Sequence, residues 1–194
     1  MLRSIISRLG ILPLAIALAA CSSAPPEEFV GTSTSAQTLM VITTEGAGPI
    51  NQNTAYSSKA IQQALPGFTT DNIDAASEDR TMWTLAAFSN GMQVAQIYRG
   101  KGGKVGAVHG VTHHLVGPAG ERIGMTFRQV GTRASECRVG RSLWRGMAIC
   151  PSAGATNVKL VFAVTKFQGP FDRLPPSELL AGATLQRIIW TPPA

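Results

Sequence analysis

The sequence predicts an α+β fold: a single domain, mostly antiparallel sheet with two or three short helices. Three observations carry this expectation. Val158, Leu160, Phe162 and Val164 recur at every second position, the two-residue period of a half-buried strand. Asn90-Gly91 sits between two apolar runs, and Asn-Gly readily takes the positive φ angles of a tight hairpin turn. Helical periodicity is confined to brief stretches, and no succession of βαβ units or internal repeat is present.

In chain order, Leu39-Met40-Val41-Ile42-Thr43 reads as a strand followed by a Gly46-Ala47-Gly48-Pro49 turn. Tyr56, Ala60, Ile61, Ala64 and Leu65 then share a helical face, with Asn53 or Thr54 placed to cap it. Pro66-Gly67 stops that helix. Thr81–Ser89 and Met92–Arg99 form the Asn-Gly hairpin, and a third strand near Lys104–Val108 follows the Gly100-Lys101-Gly102-Gly103 turn. Ile123, Phe127 and Val130 suggest a short helix before Cys137. Pro175 to Gly182 reads as another, with proline at its start and glycine past its end. Thr184 to Trp190 closes the chain as an apolar strand.

The amino terminus has a different character. Positive charge at Arg3 and Arg8 precedes a nearly continuous apolar run from Leu9 to Ala20, the order of a secretory signal. At about twelve residues the run falls short of the roughly 20 that a membrane-crossing helix needs. It ends in Leu18-Ala19-Ala20-Cys21, which resembles a lipobox: small residues suit the peptidase, and the Cys21 thiol is the lipid acceptor. Residues 1–20 are therefore expected to be a lipoprotein signal peptide. Residues 21–38, rich in Ser, Thr and Pro, should be the lipidated cysteine and a flexible tether. Residues 39–194 are left as a globular periplasmic domain. Several acyl chains hold a protein on a membrane stably where one does so only marginally. Ser22, where aspartate would favour inner-membrane retention, points to the outer membrane.

The net charge of the 194 residues is +6, of which Arg3 and Arg8 contribute two. An excess of that size without a basic run gives no support to nucleic acid as a partner. Cys137 and Cys150 are the remaining thiols. In an oxidising compartment they most simply pair, a loop of that size contributing roughly 3 kcal/mol in the chain-entropy picture. Inside this loop Arg138, Arg141 and Arg145 surround Trp144. Arg and Trp are enriched at recognition surfaces, and arginine clusters pair with phosphates and carboxylates. The loop is thus a candidate surface for an anionic envelope component or protein partner. The bland alternative is that Trp144 packs inward while the arginines face water.

Other candidate motifs read as structural. His109, His113 and His114 are all three histidines of the chain. On a strand, four residues span about 13 Å, too far for one ion held at about 2 Å by each ligand, so they are expected as loop or surface histidines and no metal is assigned. Gly100 to Gly106 superficially resembles a phosphate loop, but lacks Ser or Thr after its lysine and leads into a strand. Gly140-Arg141-Ser142-Leu143 lacks the second glycine of a hydrolase elbow. With 11 acidic residues in the chain, no carboxylate pair stands out. No catalytic residue and no cofactor is expected.

Taken in order, the lipobox, Gly46-x-Gly48, Ala64-Leu65-x-Gly67, Ile123-Gly124-x-x-Phe127, Cys137/Cys150, Leu174-Pro175 and Ile188-Ile189-Trp190 form a pattern. It resembles the RpoE-regulated lipoprotein family of proteobacteria, a domain of unknown function, over roughly Glu45 to Trp190. The resemblance implies a Gram-negative envelope protein connected with the envelope stress response, and implies no catalytic residues. The leading expectation is a lipid-anchored, non-catalytic binding or envelope-maintenance role, with the membrane reached through the N-terminal anchor. An inhibitor of a cell-wall lytic enzyme is the alternative, and a periplasmic hydrolase of peptidoglycan or lipid the second.

Overall fold

A computed structural model describes residues 37–193; the signal segment and Cys21 lie outside the described residues. The chain order is β1 (Met40–Val41), β2 (Gly46–Ala47), β3 (Ile50–Asn51), α1 (Ser58–Ala64), β4 (Thr69–Ala76), β5 (Thr81–Ser89) and β6 (Met92–Arg99). Then come β7 (Val105–Gly110), β8 (Leu115–Val116), α2 (Phe127–Val130), β9 (Arg138–Val139), β10 (Ala148–Ser152), β11 (Ala155–Ala163), α3 (Ser177–Ala181) and β12 (Thr184–Trp190). Eight strands form one sheet in the order β4-β5-β6-β7-β12-β11-β10-β9, antiparallel at every pairing. The architecture is sheet-dominated, with three short helices.

Alternation sorts the strands into two faces. Val158, Leu160 and Phe162 of β11, Ile188 and Trp190 of β12, and Ala148 and Cys150 of β10 all point into the main core. Ile61 of α1, Phe127 of α2 and Leu180 of α3 close it, together with Met40 and Ile42 from the first strand region. Burying one such side chain contributes about 1.5–3 kcal/mol. Trp190 also has its indole N–H satisfied, donating to the Thr44 carbonyl at 3.0 Å. The intervening residues Ile149, Val161 and Ile189 face the opposite way and pack with Trp144 in a separate, smaller cluster.

The Asn-Gly hairpin forms as expected: Asn90 and Gly91 both have positive φ, 49° and 77°, joining β5 to β6. The terminal strand and the helix after Pro175 and Pro176 also form. Other expectations need correction. α1 begins after Ser57, whose side chain accepts from the Ala60 N–H, so the cap is neither Asn53 nor Thr54 and Tyr56 lies before the helix. Ile123 precedes α2, which is opened by a Thr126–Gln129 capping box. The first strand is shorter than Leu39–Thr43 and pairs parallel with β8. β4, β9 and β10 had no counterpart in the sequence reading. β4 carries Asp71, Asn72 and Asp74, residues that strands disfavour but sheet edges use against unwanted pairing.

Candidate functional site

The loop between β9 and β10 is built from short-range constraints. Val139 pairs with Ala148 and Arg138 with Ile149, and the Cys137–Cys150 disulfide fastens the same ends, with Cα atoms 4.2 Å apart. Within the loop the Gly140 N–H donates to the Met147 carbonyl at 2.8 Å and the Trp144 N–H to the Arg141 carbonyl at 2.8 Å. A Cβ at Gly140 would stand 2.3 Å from the Trp144 carbonyl oxygen, so any larger residue would push this turn open.

The turn directs Trp144 inward. It is 6% exposed and packs on Ile149, Val161 and Ile189, with the Arg187 guanidinium 5.8 Å from its ring centre. Trp144 is therefore a packing residue beneath the loop, and its expected place on the recognition surface is corrected. Arg138 is also committed. Its Nη1 and Nη2 donate to the two carboxylate oxygens of Glu78 at 2.6 and 2.7 Å, the bidentate geometry that suits a guanidinium and a carboxylate.

Glu78 lies in the β4–β5 connection, so it brings the first hairpin of the sheet to its last strand. Its Oε1 also accepts from the Arg141 N–H at 2.9 Å, and its backbone carbonyl from the Leu143 N–H at 2.9 Å. The Arg138 hydrogen bond holds the Glu78 carboxyl below its usual range, against the opposing effect of burial. Sequence reasoning missed Glu78 because its partners stand some sixty residues away.

Arg141 and Arg145 remain exposed. They border a cleft of about 580 Å³ whose wall is completed by Arg138, Phe171 and Asp172. Phe171 is 40% exposed and meets Phe167 edge-on at 5.5 Å. Leu143, beside the cleft arginines in sequence, is 51% exposed. Exposed guanidiniums next to exposed apolar rings suit a partner bearing both anionic and apolar groups.

Beneath Trp144 the sheet carries a row of register neighbours: Ala86, Gln96, His109, Ile189, Lys159 and Pro151. His109 thus sits in β7 and is 5% exposed, which corrects its expected loop or surface position. Its ring stacks at 4.2 Å on Tyr98 and lies 5.9 Å from Trp144. Burial first, and the Arg187 charge second, lower its pKa to about 3. Arg187 donates to Gln96 Oε1 at 2.8 Å. His113 and His114 stack on each other at 4.0 Å elsewhere. Among the described residues no three His, Cys, Asp or Glu side chains are grouped to hold a metal.

Residues 20–192 match the family described as a protein of unknown function, DUF1131. The chain belongs to this family. No curated protein matches it. The DUF1131 chain is similar in fold to the uncharacterized protein yfeY from Escherichia coli, known from a crystal structure, with a TM-score of 0.60 and 18% identity. That likeness covers 76% of this chain and 97% of yfeY, and it is a likeness of fold.

Proposed function

We propose that this chain is a lipid-anchored lipoprotein of the cell envelope, linked to envelope stress, whose domain binds an anionic envelope component. Its role is non-catalytic. The observation that supports the binding reading is the β9–β10 loop: a braced loop with Arg141 and Arg145 exposed at a cleft that also presents Phe171. Glu78 and the disulfide hold the loop in place before any ligand arrives, so little ordering cost is left to binding. The anchor reading rests on Leu18-Ala19-Ala20-Cys21 behind a short apolar run, and the stress link on resemblance.

Two experiments test the two halves. Growth on labelled palmitate should mark the wild-type protein and leave Cys21→Ala unmarked; equal labelling of both removes the anchor. Calorimetric titration with purified lipopolysaccharide should give binding that weakens at least about tenfold in Arg141→Glu/Arg145→Glu. Undiminished binding at low salt removes the site.

A second reading, inhibition of a cell-wall lytic enzyme, draws on the same loop. A disulfide-closed basic loop with Leu143 exposed has the shape of an insert for an acidic cleft. Loss of lysozyme activity on adding the protein is its test.

A further inference from the structure

A second cavity lies away from the arginine cleft and rests on different residues. It has a volume of about 490 Å³, and Glu121, Ser152, Thr132, Arg133, Gly154 and Thr156 are among its walls. Glu121 and Ser152 are each 2% exposed. A carboxylate that deep is costly unless it is paired or fully hydrogen-bonded.

Several features of the chain exist to place this carboxylate. β10 follows regular pairing with β11 as far as Pro151–Lys159 and then breaks register, so that Ser152 pairs with Ala155. Such a bulge re-aims a side chain, and the Ser152 hydroxyl donates to Glu121 Oε1. The Ala119 N–H donates to Oε2 at 2.8 Å. The Gly117 N–H holds the Glu121 carbonyl at 2.8 Å, and a Cβ on Gly117 would stand 2.5 Å from Oε2. Only glycine leaves that space.

The charge itself has no counterpart. Among the described residues no ion pair involves Glu121. Arg133, the cation on the wall, is 78% exposed and bound to Glu136. A carboxylate offers about four acceptor positions; Ser152 and Ala119 occupy two. Neither of those two donors is a cation.

We infer that the cavity is a binding site for a small ligand bearing a primary ammonium group, which the Glu121 carboxylate receives, with Thr132 and Thr156 among its walls. The volume accommodates a molecule of amino-sugar or dipeptide size. The site is independent of the arginine cleft and of the membrane anchor.

The Ala119 amide, hydrogen-bonded to Oε2, is a built-in reporter. ¹⁵N-labelled protein is titrated with two ammonium probes of different shape, cadaverine and glucosamine, and with N-acetylglucosamine, in which the ammonium is masked as an amide. At least one ammonium probe should shift the Ala119 and Gly154 amides saturably, and N-acetylglucosamine should not. Glu121→Gln should weaken the response by about tenfold or more, the ordinary worth of a hydrogen bond to a charged group. Should Glu121→Gln fail to fold, the contrast between glucosamine and N-acetylglucosamine on the wild-type protein decides the matter. Absence of a saturable shift with both ammonium probes, or an equal response to N-acetylglucosamine, overturns the proposal. So does a folded Glu121→Gln protein that responds like wild type.

Discussion

The two faces of the eight-stranded sheet are made by the same strands yet obey different rules. The core face takes Ala148 and Cys150 of β10, Val158, Leu160 and Phe162 of β11, and Leu185, Ile188 and Trp190 of β12, and covers them with three helices. The opposite face interleaves Ile149, Val161 and Ile189 with Gln96, His109, Lys159 and Arg187, and is covered in part by one loop folded around Trp144. The first arrangement gains from area alone. The second depends on particular pairs, Glu78 with Arg138 and Gln96 with Arg187, and it leaves charge and apolar surface open at its rim. The larger apolar cluster lies on one side, and the smaller one with its polar neighbours on the other.

Substitutions can break that division. On the core face Phe162→Ala should cost about 3–5 kcal/mol, read as a fall in the denaturant midpoint; a cost under about 1 kcal/mol would mean that the helices do not seal this face. Next comes the disulfide, which closes the β9–β10 loop while its Cys150 end lies in the main core. Replacing Cys137 and Cys150 by alanine should cost roughly 3 kcal/mol, with the loss seen in thermal unfolding and again on adding reductant to wild type.

His109 supplies a pH signature belonging to the loop-covered face. Its folded-state pKa of about 3 lies below the unfolded value of about 6.5. The contribution is complete above that unfolded value. As pH falls, the unfolded chain takes up a proton that the folded chain refuses, and stability declines by up to about 1.4 kcal/mol per pH unit until the folded pKa is reached. His109→Gln should flatten this slope between pH 6 and pH 3 in a series of denaturation curves. An unchanged slope would place the titration elsewhere. The smallest effect is that of Glu78→Gln. The Arg138 side chain is half exposed, so loss of the ion pair should cost about 1 kcal/mol or less. Faster hydrogen exchange at the Arg141 and Leu143 amides is the sharper readout.

The core face was legible in the sequence because periodicity records it directly. Val158-x-Leu160-x-Phe162 and the Asn90-Gly91 turn needed no distant information, and they fixed β11 and the β5–β6 hairpin. The loop-covered face was legible only in outline. The disulfide and the exposed Arg141 and Arg145 could be read from spacing and composition. The burial of Trp144 and His109 could not, since it follows from register across β7, β12 and β11 and from the loop's return over them. β4 was hidden by its own edge-strand polarity, and Glu78 by its distance in sequence from Arg138. Glu121 gave no signal, because its partner Ser152 stands 31 residues away in sequence.

Arg141 and Arg145 are expected to form a surface for anionic partners beyond the general positive charge of the chain. Lys59 of α1 and Arg128 of α2 are exposed on helices that cover the core face, and they provide a matched control. Co-sedimentation with phosphatidylglycerol vesicles should show wild-type binding that falls with salt, is lost in Arg141→Glu/Arg145→Glu, and persists in Lys59→Glu/Arg128→Glu. Equal loss in the two double variants, or no loss in the first, would contradict it.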